Sequence, residues 1–231
     1  MKIATKGDKP LLVALFSFPC SGSTIITQFF NSIERCLFIA EMFRGGHRAI
    51  TLESTRYGEV RLEDDWELKD YGALAKSLGL AMYGFSDIWA PFPEVEKLWR
   101  ANLASSFDLA YGAFMILRHP LKVLAALRAK GNLEISDAEF SASYVWMIKH
   151  TGKKIEPFFY DMFVANPLAY ASKAFGLTIS GKVELVVGEN FRGDGLALQS
   201  KTIARKDERQ PISLTDELRP SVEAYEKLRG V

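Results

Sequence analysis

The sequence predicts an α/β protein, a single domain over 1–231 with a central, mainly parallel sheet flanked by helices. Three observations predict it. Apolar runs too short for helices recur at 11–18, 36–41, 113–117, 155–160 and 183–188, with helical patterns between them. The first run, LLVALFSF, is continuously apolar, as a strand buried on both faces must be. The length, 231 residues, suits one medium domain with a sizeable core better than two.

Taken in order, residues 1–10 are polar and read as a loose lead-in, and 11–18 as a central strand. Ser21 or Ser23 can cap a helix over roughly 23–34, where Ile25, Ile26, Phe29, Phe30 and Ile33 recur at helical spacing. CLFIAE, 36–41, is a second strand. Residues 42–66, with Gly45-Gly46, scattered arginines and the acidic group Glu63, Asp64 and Asp65, read as a long loop region of the kind that carries substrate contacts. Helices are expected over 67–79 and 93–105. After the 113–117 strand, Pro120 stands at a first helical position and Gly131 ends that helix. A helix over 137–150, a strand over 155–160, a helix over 166–176 closed by Gly176 and a strand over 183–188 follow. Residues 190–212 read as a loop, and Ser213 with Asp216 as a capping box opening a last helix to about Arg229.

Bulk properties remove several classes. A formal net charge of +1 gives no global case for nucleic acid or an anionic membrane, so any anion site is local. Two cysteines, Cys20 and Cys36, with no CxxC or Cys/His cluster, exclude a disulfide framework and a zinc motif, and a reduced, cytoplasmic setting is expected. Lys2, Lys6 and Lys9 before LLVALFSF have the outline of a signal peptide, but Pro19 ends an apolar run of only eight residues and no A-x-A site follows. No segment approaches the roughly 20 apolar residues that a bilayer span needs.

FSFPCSGST, 16–24, runs from a strand through a small-residue turn into a helix. The first N–H groups of such a helix lack intrahelical partners and, with the helix dipole, bind an anion. Gly22 permits close backbone approach, while Ser23 and Thr24 add hydroxyl donors. The common nucleotide loop, GxxxxGK[ST], does not fit, because Phe16 stands at its first glycine and Gly22 at its lysine. ATP and GTP are thereby disfavoured. Taken alone, SGST also suits a serine-rich helix cap with no ligand. A second element adds to it: Arg118 leaves the 113–117 strand at the sheet's carboxyl edge, the ligand side of parallel sheets, and its fork of donors suits a phosphate or an ion pair.

FPCSGST resembles the 5′-phosphosulfate loop of the sulfotransferases, P-[KR]-S-G-[TS]-[TS], and ILRHPLKVLAALRAKG resembles their 3′-phosphate segment. FFYDMFVANPLAYASKAFGLTIS is similar to their later strand and helix, and ARKDERQPISLTDELRPSVEAYEKL to their C-terminal basic loop and last helix. The resemblance implies a P-loop, nucleotide-kinase-like architecture. It also implies transfer of a sulfuryl group from 3′-phosphoadenosine 5′-phosphosulfate (PAPS) to a hydroxyl acceptor, with no metal required. On that resemblance Cys20, Ser21, Gly22, Ser23 and Thr24 hold the 5′-phosphosulfate, Arg118 the 3′-phosphate, and Arg205 or Lys206 closes over the nucleotide. Glu41 occupies the place of the family's glutamate base, with helix capping or ion pairing as its plainer role, and His47 is the alternative base.

Two departures stand out. The family's loop cation is Cys20 here, and the serine eight residues after the arginine is Ala126. Arg44, Arg48, Lys122 and Lys206 are candidate replacements for the cation. A nucleotide-binding relative with impaired turnover is therefore the alternative function, and a phosphotransferase a further one. Phe43, Tyr57, Trp66, Tyr83, Phe85, Trp89 and Phe92 either line an apolar acceptor pocket or fill the core beneath the loops.

Overall fold

The computed structural model describes residues 1–4, 9–43, 48–88, 110–130, 134–151, 155–188, 203 and 211–230. The strands are β1 (Lys2–Ala4), β2 (Leu11–Ser17), β3 (Cys36–Ala40), β4 (Ile50–Ser54), β5 (Gly58–Leu62), β6 (Met82–Ile88), β7 (Gly112–Leu117), β8 (Glu156–Phe159) and β9 (Thr178–Ser180). The helices are α1 (Ser23–Asn31), α2 (Leu68–Ser77), α3 (Pro120–Lys130), α4 (Asp137–Lys149), α5 (Tyr160–Ala165), α6 (Pro167–Phe175) and α7 (Arg219–Arg229).

The central sheet has five strands in the order β3-β6-β2-β7-β8, every pair parallel. Alternate residues of β2 feed two cores. Leu12, Ala14 and Phe16 pack with residues of α2, α3, α4 and α7, whereas Val13 and Leu15 pack with residues of α1, α5 and α6. Both faces are thus covered, which is why the strand is apolar from Leu11 to Phe16. The chain runs outward from β2 to β3, returns to β6, and only then crosses to β7 on the other flank. The carboxyl end of β2 is therefore a switch point, the position where open parallel sheets bind ligands.

Several elements differ from the sequence expectations. β6 lies between β3 and β2, where no strand was expected. Gly84 breaks its apolar pattern for a packing reason: a Cβ there would sit 2.3 Å from the Val13 carbonyl oxygen and 2.5 Å from the Phe38 ring. The expected irregular stretch 42–66 contains the β4–β5 hairpin, with Ile50, Leu52, Val60 and Leu62 turned into the core. The lead-in contributes β1, paired antiparallel with β9. No strand forms at 183–188, because the Val186 amide donates to Ser32 Oγ at 2.8 Å and its carbonyl accepts from Gln28 Nε2 at 2.6 Å, both on the α1 side. The last helix starts at Arg219 rather than at a Ser213–Asp216 box; Thr215 Oγ1 accepts the Leu218 amide at 3.3 Å and donates to Asp137 at 3.1 Å. The expected helix at 93–105 lies outside the described residues.

Candidate functional site

The loop after β2 leads into α1 through two left-handed residues, Cys20 (φ 66°) and Gly22 (φ 96°). Gly22 itself is the N-cap, and neither Ser21 nor Ser23 caps the helix with its side chain. This corrects the expectation of a serine cap and leaves the hydroxyls for other work. Ser21 is fully buried, and its Oγ has no hydrogen-bond partner among the described residues. A buried hydroxyl in that state carries an unmet desolvation cost, which a bound anion would relieve. Ser23 is half-buried and Thr24 exposed. Cys20 is half-buried and packs against the core, in keeping with a small packing residue.

Arg118 follows β7 directly and is buried. Its Nη1 donates to the Cys20 carbonyl at 3.2 Å, so the two expected phosphate elements meet although they stand 98 residues apart. Its guanidinium carbon lies 5.1 Å from the centroid of the Tyr160 ring. The Arg118 carbonyl accepts from the Tyr144 hydroxyl, whose burial drives it well above the usual tyrosine range and keeps it a donor.

Glu41, at the end of β3, has φ 54°, a conformation that costs a side-chain-bearing residue and recurs at functional sites. β6 holds it there. The Glu41 amide donates to the Ser86 carbonyl at 2.7 Å, and the Phe43 amide donates to Asp87 Oδ2 at 3.0 Å. Asp87 is a buried carboxylate at the carboxyl edge that sequence reasoning missed, since β6 itself was missed. Ser86 Oγ accepts from Thr27 Oγ1 at 2.9 Å, tying this strand end to α1.

The other expected residues fall out as follows. His47, Arg44, Arg205 and Lys206 lie outside the described residues, as do Trp89 and Phe92. Lys122 pairs with Asp161 at 3.5 Å. Arg48 is exposed, and its carbonyl accepts from Trp66 Nε1 at 3.0 Å. Ala126 is buried within α3. Phe43, Trp66, Tyr83 and Phe85 fill the core, Tyr57 packs partly buried against it, and Tyr57 donates to the Cys36 carbonyl at 3.1 Å; the packing role prevails for these five. His119 touches the Tyr225 ring edge-on at 5.6 Å. Among the described residues no group of three or more His, Cys, Asp or Glu is placed to hold a metal ion. No described helix is long and apolar enough to cross a membrane.

No protein-family model matches this sequence, and no curated protein does. Among solved structures, the sulfotransferase domain from the curacin biosynthetic pathway superposes with a TM-score of 0.55, covering 96% of this chain and 99% of that one at 13% identity. The fold is that of a sulfotransferase. At that identity the likeness speaks for the architecture, a five-stranded parallel sheet flanked by helices, and the chemistry rests on the residues described above.

Proposed function

We propose that this protein binds PAPS and transfers its sulfuryl group to a hydroxyl of a small molecule or carbohydrate. The observation that carries this reading is the 3.2 Å contact between Arg118 and the Cys20 carbonyl, which puts a guanidinium beside the anion loop at the switch point of the sheet. The buried Ser21 hydroxyl and the left-handed Gly22 fit an anion held by the start of α1. When bound, the donor supplies a sulfuryl group already attached to its leaving phosphate. Ser21, Gly22, Ser23 and Thr24 hold the 5′-phosphosulfate by main-chain and hydroxyl donors, and Arg118 takes the 3′-phosphate. Arg205 or Lys206 closes over the nucleotide. Glu41 would take the proton of the acceptor hydroxyl, with His47 as the alternative base, and the bound donor would supply the sulfuryl group and the leaving phosphate. No step calls for a metal.

A second reading, a nucleotide-binding relative with impaired turnover, is favoured by one observation. Cys20 stands where a loop cation would neutralise the leaving phosphate, and Lys122, a candidate substitute, is engaged by Asp161. Losing such a group costs roughly 10²–10³ in rate. Calorimetric titration with adenosine 3′,5′-bisphosphate tests the shared core of both readings. Binding that is independent of magnesium and lost in Arg118→Ala is expected; no binding by wild type overturns it, and binding only with magnesium points to a phosphotransferase. A Cys20→Lys variant then separates the two, since a gain in PAPS turnover over wild type marks a site short of its cation.

A further inference from the structure

The end of β6 grips the turn after β3 at three points. β3 stops with Ala40 opposite Ser86, and the Glu41 amide donates to the Ser86 carbonyl at 2.7 Å. Two residues on, the Phe43 amide donates to Asp87 Oδ2 at 3.0 Å. The Phe43 ring meets Phe85 edge-on, with centroids 5.0 Å apart. Asp87 Oδ1 accepts the Ile88 amide at 2.8 Å, so both oxygens of this buried carboxylate receive main-chain donors. Met42 and Phe43 are buried, whereas Glu41 at the head of the turn is not.

We infer that Asp87 is a positioning residue for the proposed transfer: through the Phe43 amide it holds the left-handed turn that sets the Glu41 carboxylate where an acceptor hydroxyl gives up its proton. This rests on the PAPS-dependent reading above, with Glu41 as the base. A left-handed backbone is unfavourable for a residue with a side chain, so φ 54° at Glu41 persists only because its surroundings over-determine it. A glycine would take that turn without strain, yet it would bring no carboxylate. Asp87 itself is poorly suited to be the base, because main-chain N–H groups occupy both of its oxygens. It suits a clamp instead. A base works only within hydrogen-bond reach of the proton it removes, and a misplacement of about 1 Å costs roughly 10²-fold in rate. The clamp on Phe43 therefore bears on turnover through Glu41, and not on the loop after β2 that would hold the nucleotide.

Amide exchange, calorimetry and turnover test this together on wild type, Asp87→Ala, Asp87→Asn, Glu41→Gln and the double variant of Asp87→Ala with Glu41→Gln. Water serves as the smallest hydroxyl acceptor, so that PAPS and water give adenosine 3′,5′-bisphosphate, sulfate and a proton. Asp87→Ala is expected to lower kcat for sulfate release roughly 10- to 100-fold, with KM for PAPS and affinity for the bisphosphate within about twofold. Without nucleotide, its Glu41 amide is expected to exchange about tenfold faster. Asp87→Asn keeps an acceptor for the Phe43 amide and is expected to stay within about threefold of wild type in both measurements. Asp87→Ala is expected to add nothing in the Glu41→Gln background. An unchanged kcat or an unchanged Glu41 amide in Asp87→Ala overturns the inference. So does a parallel loss of bisphosphate affinity, a further fall in the double variant, or an Asp87→Asn as slow as Asp87→Ala. Wild type that binds the bisphosphate but releases no sulfate also overturns it, since Glu41 then has no proton to take. Wild type that binds no nucleotide overturns the functional reading itself, which keeps the two failures apart. If a melting curve shows Asp87→Ala unfolded, Asp87→Leu, which keeps bulk without an acceptor, replaces it with the same expected and overturning results.

Discussion

The two flanks of β2 place their candidate functional groups by different means. On the β7–β8 flank each group is the residue that directly follows a strand: Arg118 after β7, Tyr160 after β8. On the β6–β3 flank Glu41 also follows its strand, but its left-handed backbone is held by the end of β6, through the Ser86 carbonyl and the Asp87 carboxylate. On the first flank each group stands at a strand end with ordinary backbone, and long-range contacts such as Arg118 to the Cys20 carbonyl bear on the side chain. The other needs a bracket reaching across 44 residues, as the Phe43–Asp87 hydrogen bond does.

Substitutions can break or sharpen that contrast. The largest effect is expected from Gly84→Ala, whose new methyl group meets the β2 backbone and the Phe38 ring; a loss of about 3 kcal/mol in denaturant unfolding is expected. Asp87→Ala comes next. It removes the carboxylate that accepts from the buried Phe43 amide, so about 2 kcal/mol is lost and the Phe43 amide exchanges faster, while nucleotide affinity holds. A matching fall in nucleotide affinity in folded Asp87→Ala would show that the flanks do not work separately. Thr27→Val removes the donor to Ser86 Oγ, the link between α1 and β6, and is expected to cost about 1 kcal/mol.

The smallest effect concerns pH. Burial holds the His119 imidazole below its ordinary value of 6.5, with Lys122 and Arg229 acting in the same direction and Asp161 and Glu226 against it. The unfolded chain therefore takes up the proton first. The resulting stability is present above the ordinary value and lost as pH falls through it toward the lower native one. Melting temperatures measured from about pH 7 to about pH 5 are expected to fall less steeply in His119→Gln than in wild type. Equal slopes would show that His119 contributes nothing to the acid response.

The same contrast governs what was legible in the sequence. β2, its loop and α1 are consecutive along the chain, and so are β7, Arg118 and α3, so residue order alone exposes each set. β6 was hidden because Gly84, Ser86 and Asp87 interrupt its apolar pattern, and each does so for a partner distant in sequence: β2 and Phe38, Thr27, and Phe43. The hairpin does carry a signal in the sequence, since Ile50, Leu52, Val60 and Leu62 alternate around a turn closed by Gly58 with φ 71°. The apolar run at 183–188 has the pattern of a strand but forms none. Its Val186 backbone groups are taken by Ser32 and Gln28. Tyr160 stands within FFYDMFV, yet its place beside Gly22 and Arg118 depends on three segments meeting.

The pairing of β2 has a consequence for how the chain is made. Its ladder partners are β6, beginning with Leu11 opposite Met82, and β7, beginning with Val13 opposite Gly112. A ribosome working at roughly 5–20 residues per second thus holds this apolar strand without a neighbour for several seconds. That strand is the one that carries the proposed anion loop, so folding during synthesis has to wait for segments that emerge much later. Nascent chains halted before Met82 should engage chaperones through LLVALFS, and chains extended past Leu117 should be released from them.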